Sequence, residues 1–405
     1  MAKIKPEFET NIRMKVVGVG GAGGNAITRM ADRKIKGISF IAVNTDDQAL
    51  HHSKADEKIA IGKILTRGLG AGMNPEIGYE SAKENLEQIE NAVKSSDLVF
   101  VTAGLGGGTG SGASPVVAEL ARKNGALVIS VVTKPFGFEG GKRQEIAEEA
   151  WQKLQEQSDA IITVPNDKVF NLIDSSTPIL TAFSLIDEIL YQGVKGISDL
   201  ITYPGIINLD FANIRTIMTN AGEALMGTGR ASGEGRAQKA AQAAVHSPLL
   251  ETQINGATRV LFNVSGGPDL SLAEINEAAK VITENIDPNA KVIFGAIYDE
   301  GLKKGEIKIT VIAGGFNENT FDEKNLVLPF TRTVVAPPKK VEVQNPFDSK
   351  TDFSFPEPNS KKESLEQTPI KIEINADGPG KANKNSNTKL EEIEIPAFLR
   401  KKKRF

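Results

Sequence analysis

Residues 11–176 predict an α/β fold with a parallel, doubly wound sheet, because short apolar runs alternate there with helical stretches and two glycine-rich turns follow strand ends. The runs are Met14–Val19, Phe40–Val43, Leu98–Thr102, Leu127–Val132 and Ala160–Val164, each rich in β-branched or aromatic residues and too short for a helix. Ligands of such sheets bind outside the carboxyl ends of the strands, which is where both glycine turns fall.

The first turn, Gly18-Val19-Gly20-Gly21-Ala22-Gly23-Gly24-Asn25, leaves the first strand and runs into a helix expected from Ala26. The second, Gly106-Gly107-Gly108-Thr109-Gly110-Ser111-Gly112, lies between the Leu98–Thr102 strand and helical spacing over Ala113–Lys123. Glycines expose backbone N–H groups that can wrap a phosphate chain at a helix N-terminus. One such turn is as well explained by tight strand-to-helix geometry, but two together point to a nucleotide. Gly18, Gly20 and Gly23 satisfy the dinucleotide spacing, with Asp46 or Asp47 as the ribose acid, which keeps a nicotinamide oxidoreductase as the alternative. That alternative gives the second turn no role. A P-loop needs Lys and Ser or Thr after its last glycine, whereas Ala113 follows Gly112 and Asn25 follows Gly24.

Apolar residues at helical spacing over Pro178–Ile201, among them Leu180, Phe183, Ile186, Ile189, Leu190, Val194 and Ile197, predict a long buried helix. A further α/β region follows over 220–330, with strands near Thr258–Val264, Val292–Tyr298 and Ile307–Ala313. Beyond about Thr331, Pro, Lys, Ser, Asn and Glu replace large apolar residues, so 331–388 reads as a disordered linker. The chain closes on Ile393-Glu394-Ile395-Pro396-Ala397-Phe398-Leu399 and a basic run to Phe405.

Composition narrows the function classes. The 405 residues contain no cysteine and three histidines, so disulfides and thiolate or histidine-rich metal sites are excluded, and the adjacent His51 and His52 are expected on a solvated loop. Arg400 to Arg404 contribute five positive charges to a net charge of −3, which leaves −8 before them and makes nucleic acid a poor partner. No stretch approaches the roughly 20 apolar residues of a membrane span, and the N-terminus lacks a signal-peptide core, so a cytoplasmic location is expected.

Gly106–Gly112 resembles the GGGTGSG signature of the tubulin superfamily, and similarity to its FtsZ branch runs from about Asn11 to about Pro329 and returns in the last dozen residues. The resemblance implies a tubulin-like, Rossmann-type GTPase domain over 11–176 and a central helix over 177–201. A catalytic interface loop and following helix would span 202–219 and a second α/β domain 220–330, with a flexible extension at 1–10 and a partner-binding peptide at 389–405. It implies GTP and GDP as ligands, with Mg²⁺ bridging the β- and γ-phosphates as phosphoryl transfer requires. Gly21, Ala22, Gly23, Gly24 and Asn25 would form the first phosphate loop, and Gly104, Gly107, Gly108, Thr109 and Gly110 would hold the β- and γ-phosphates. Ala71 and Gly72 match the γ-phosphate sensor, Glu139 and Arg143 the ribose contacts, Asn166 and Asp187 the guanine readers, and Phe183 the stacking ring. On periodicity alone Phe183 belongs to the core.

No side chain near the glycine turns is an evident general base. The resemblance places catalysis in Asn208, Asp210 and Asn213, supplied to the pocket of the next subunit of a head-to-tail homopolymer. Here the sequence departs from its relatives, which usually carry aspartate at position 213. Asn213 can orient water but cannot carry the charge, so slower turnover is expected. Ile395, Pro396, Phe398, Leu399 and Arg400 resemble the peptide by which the family binds its membrane anchors, such as an FtsA-type protein, and the basic tail could also touch anionic lipid. The implied role is assembly at mid-cell beneath the inner membrane into the division ring. A tubulin-like relative that moves plasmids would not be expected to carry that peptide.

Overall fold

A computed structural model describes residues 12–174, 176–203, 205–207, 209–247, 254–299 and 301–316. The expected N-terminal extension, linker and C-terminal peptide lie outside the described residues, as does Asn208.

The strands are β1 (Met14–Val19), β2 (Ile38–Asn44), β3 (Glu57–Ala60), β4 (Leu98–Gly104), β5 (Leu127–Lys134), β6 (Ala160–Pro165), β7 (Gly222–Ser232), β8 (Arg259–Gly266), β9 (Lys291–Tyr298) and β10 (Glu306–Gly314). The helices are α1 (Gly20–Asp32), α2 (Asp47–His52), α3 (Lys63–Thr66), α4 (Pro75–Glu84), α5 (Leu86–Val93), α6 (Gly108–Lys123), α7 (Gly141–Gln157), α8 (Ile179–Thr202), α9 (Phe211–Met218), α10 (Arg236–Val245) and α11 (Leu272–Thr283). His51 and His52 close α2, exposed at the end of a helix rather than on a loop.

The strands form one sheet in the order β3-β2-β1-β4-β5-β6-β7-β10-β8-β9. Pairing is parallel from β3 through β7, and β10 runs antiparallel to both β7 and β8. The join between the two α/β regions is short, since β6 meets β7 only through Ala160↔Gly222, Ile161↔Glu223 and Ile162↔Ala224.

The parallel strands are buried almost continuously, with successive side chains entering cores on opposite faces of the sheet. Met14 and Val16 of β1 enter the core beneath α8, whereas Val17 and Val19 enter the core beneath α5 and α6. A third core packs α10 and α11 against β8 and β10. The α10–α11 pair is tied by Arg236, 7% exposed, whose guanidinium donates to Asp269 and Glu274. Arg236 pulls the Glu274 carboxyl down to about 2. Strand β7 escapes a periodicity reading because Gly227 and Gly229 resemble turn residues. A Cβ at either would stand 1.9 or 2.0 Å from the carbonyl oxygen of Ala244 or Ala240, so the glycines let α10 lie directly on the strand.

Helix α8 departs from a uniformly buried rod. Ile186, Ile189, Leu190, Val194 and Ile197 are buried, but the first turns are open, with Leu180 76% exposed. Among the described residues no helix is long and apolar enough to cross a membrane.

Candidate functional site: a glycine-built cleft at the carboxyl ends of the strands

The two glycine turns are first turns of helices, not loops. α1 begins at Gly20 and α6 at Gly108, several residues before the apolar spacing becomes visible. Their N-caps, Val19 and Gly107, offer no side-chain acceptor, so the first N–H groups of both helices remain available to a ligand. Glycine is needed for packing as much as for access. A Cβ on Gly20 would stand 2.9 Å from the Gly110 nitrogen, on Gly110 2.7 Å from the Gly104 carbonyl oxygen, and on Gly104 2.6 Å from the Ala22 Cβ. The two helix starts and the end of β4 are pressed together in a way only glycine permits.

Gly21 and Gly107 differ from these. Nothing lies within 4 Å of where their Cβ atoms would be. Both line an open cleft of about 550 Å³, together with Ala22, Ala71, Gly72, Gly104, Gly108, Thr109, Gly110, Glu139, Arg143, Asn166 and Phe183. Residues expected from the resemblance to hold phosphates, sugar and base are thus brought to one cavity of nucleotide size.

The polar groups of the cleft are held from behind. The Thr109 hydroxyl lies 2.7 Å from that of Thr45, both buried. Ser111 Oγ accepts from the Gly106 N–H at 2.9 Å and fixes the entry to α6. Glu139 accepts from the Phe136 N–H at 2.9 Å and pairs with Arg143 one helical turn on. Asn166 is 8% exposed, yet its side-chain oxygen has no hydrogen-bond partner. A buried amide left unsatisfied in the wall of an open cleft is the polar group a ligand would complete. Phe183 is 40% exposed and sets its ring edge-on to Phe136 at 5.8 Å, which removes it from the core and places it at the cleft.

Four expected residues fall elsewhere. Gly23 is buried, its missing Cβ facing the Thr102 carbonyl oxygen at 2.4 Å, so it packs α1 onto β4. Gly24 and Asn25 line a smaller crevice of about 220 Å³ between α1 and α2, beside His52 and Ser53. Asp187 pairs with Arg29 at 3.0 Å across α1 and α8; burial pushes its carboxyl up and Arg29 opposes that shift. Spacing gave no sign of Asn44, Met73, Thr133 and Pro135, which also line the cleft, as does Asp46, which the dinucleotide spacing offers as a ribose acid. Asp46 caps α2 by accepting from the N–H groups of Gln48 and Ala49.

The expected catalytic loop lies at the far end of α8. That helix has 24 residues and so spans ~36 Å. The loop is pinned to β9, where the Ile206 N–H donates to the Ala296 carbonyl at 2.7 Å and Ile207 bridges Ala296 antiparallel. Asp210 is exposed and caps α9, accepting from the Asn213 N–H at 2.8 Å. Neither Asp210 nor Asn213 lines the cleft of its own chain.

Known proteins decide what this pair of regions is. The model of the Tubulin/FtsZ family GTPase domain matches residues 13–174, and that of the FtsZ family C-terminal domain matches 222–317. The chain belongs to the FtsZ family. It is 46% identical to an FtsZ of M. jannaschii solved as a dimer, with a TM-score of 0.71 over 75% of this chain and 88% of that one. A mutant form of the M. jannaschii FtsZ gives 46% identity and a TM-score of 0.72 over 76% and 92% of the two chains. CetZ2 from Haloferax volcanii, at 22% identity and a TM-score of 0.65 over 76% and 94%, shares the fold. Membership makes the chain a guanine-nucleotide-binding GTPase of the tubulin-like cytoskeletal class. The dinucleotide reading of Gly18, Gly20 and Gly23 is thereby set aside.

Proposed function

We propose that this FtsZ-family GTPase hydrolyses GTP only between subunits, in a head-to-tail filament that serves cell division at mid-cell. The observation that carries the reading is the separation of the cleft from the exposed Asp210 carboxylate. The cleft has backbone donors, and its two carboxylates are engaged, Asp46 in a helix cap and Glu139 in an ion pair, while Asp210, an exposed carboxylate on a pinned loop, sits a helix length away on the same chain. In this reading the loop of one subunit closes the cleft of the next. Exposed apolar side chains at both ends favour such a contact: Leu69 at 84% and Phe138 at 71% near the cleft, and Ile206 at 63% on the loop. A heterologous contact that does not close produces a filament.

Each residue then has a task. The N–H groups of α1 and α6 bind the phosphate oxygens and stabilise the charge that builds on them. Asn166 completes its amide on the base, Phe183 covers the base, and Glu139 accepts from ribose hydroxyls through lone pairs not used by Phe136 and Arg143. Asp187 reads the base after exchanging its Arg29 partner. Asp210 of the neighbouring subunit polarises the attacking water, with Asn208 and Asn213 positioning it. Among the described residues no cluster of three metal-ligating side chains occurs. Mg²⁺, an ion that keeps much of its hydration and needs at most one or two protein ligands, would neutralise charge on the phosphates. The C-terminal peptide, Ile395 to Arg400, would dock the filament on a membrane anchor of the FtsA type, with the basic tail able to meet anionic lipid.

Right-angle light scattering and phosphate release, followed together across protein concentration, test this function. Scattering that rises with GTP but not GDP, with activity per subunit climbing above a threshold concentration, is the expected result. Activity per subunit that is independent of concentration contradicts it.

A further inference from the structure

A second groove of about 390 Å³ runs between α4, α6 and α7. Its floor is apolar, with Val116, Ile146 and Ala150 buried and Pro115 half-buried. Its walls are acidic: Glu76, Glu119, Glu149 and Glu156 stand against a single lining cation, Lys153. Glu119 is paired with Lys123, but Glu76, Glu149 and Glu156 form no ion pair among the described residues. An apolar trough with unneutralised carboxylates along its rim suits a short segment that is apolar on one side and strongly cationic beside it.

The chain carries such a segment. Ile395, Phe398 and Leu399 offer three large apolar side chains, and five consecutive cations, Arg400 to Arg404, follow at once. The stretch between Phe316, the last described residue, and Ile395 is 78 residues. At ~3.3 Å per extended residue its contour is about 260 Å, so chain length does not keep the segment from the groove. Tethering raises the local concentration of the segment to about the millimolar range, where a weak, salt-sensitive contact becomes populated.

We propose that the groove between α4, α6 and α7 is a docking site for the chain's own C-terminal segment, Ile395 to Arg404, with the apolar residues on Val116 and Ile146 and the cations along Glu149 and Glu156. Ser111 and Gly112, which follow the phosphate-binding turn of α6, also line the groove, and Pro75 begins the helix that follows Ala71 and Gly72. The docked segment thus lies behind both phosphate loops. It is also withheld there from any other partner, which must compete with the groove.

The absence of native cysteine makes the test direct. The full-length chain with Gln157→Cys in the groove and Ala397→Cys in the tail is treated with a short bis-maleimide, in GDP, beside a control that pairs Ala397→Cys with Gln242→Cys on the exposed side of α10. Crosslinking at Gln157 should exceed the control roughly fivefold at low salt and fall to the control level at high salt. Glu149→Lys with Glu156→Lys should abolish the excess, and adding Lys401→Glu with Lys403→Glu should restore it. A product within one chain or between two copies both place the segment in the groove. Equal crosslinking at the two positions, or an excess that ignores the charge reversals, overturns the assignment.

Discussion

The two ends of α8 are built from opposite materials. At its start the molecule presents backbone: glycines, uncapped helix N-termini and an amide oxygen with no partner. At its end it presents a side chain, the Asp210 carboxylate, on a helix start that is capped by that same residue and on a loop tied to β9. The first end is shaped to bind an anion and the second to repel one, so neither end alone suits hydrolysis. The contrast is what the proposed sharing of the site between subunits rests on, and it teaches that a glycine's role depends on whether its missing Cβ faces a neighbour or the cleft.

Gly107→Asp breaks the comparison most severely. Its Cβ meets nothing within 4 Å, and Asp is a favoured N-cap, so the fold should be stabilised by about 0.5–1 kcal/mol while GTP affinity falls ~100-fold through capping and charge repulsion. Thermal melting and nucleotide titration separate the two effects, and a variant that melts early instead would show Gly107 to be a packing residue. Gly23→Ala should do the reverse. Its Cβ would meet the Thr102 carbonyl at 2.4 Å, and overpacking should cost about 1–3 kcal/mol in denaturant melts. Unchanged stability would contradict its assignment to packing.

Asn166→Leu sharpens the account of the cleft. Because the amide oxygen is already unsatisfied, melting temperature should hold or rise, while GTP affinity drops about tenfold with loss of the base contact. If affinity is unchanged, the orphaned oxygen is not a ligand group. The smallest expected effect is at the other end. Asn213→Asp adds a second carboxylate at the start of α9 and should raise GTP turnover about threefold, roughly what 0.7 kcal/mol of transition-state stabilisation gives. An equal or lower rate under assembling conditions would remove Asn213 from the catalytic loop.

Much of this was legible in the sequence, and the rest has identifiable causes. Strands β1, β4, β5 and β6 are apolar runs with β-branched residues, buried on both faces, and their starts match the expected positions. The glycine turns were visible as phosphate cradles but not as helix, because glycine carries no periodicity and its poor helix propensity is overridden by packing against β4. β7 was hidden for the same reason, its Gly227 and Gly229 serving α10 rather than a turn. Phe183 fits the apolar stripe of α8, yet the first turns of that helix are exposed and Phe183 lines the cleft, and periodicity cannot tell a covered stripe from an open one. Contacts that link distant segments, such as Thr45 with Thr109 and Asp187 with Arg29, leave no local pattern.

The division of the site between subunits is tested most directly by mixing two defective proteins. Gly107→Asp keeps its Asp210 loop but lacks a working cleft, and Asp210→Ala keeps its cleft but lacks the carboxylate. Each alone should release little phosphate from GTP. Together, Asp210→Ala subunits loaded with GTP should be completed by the loops of Gly107→Asp subunits, and phosphate release should rise well above the sum of the two. A mixture no more active than that sum would contradict a site shared between subunits.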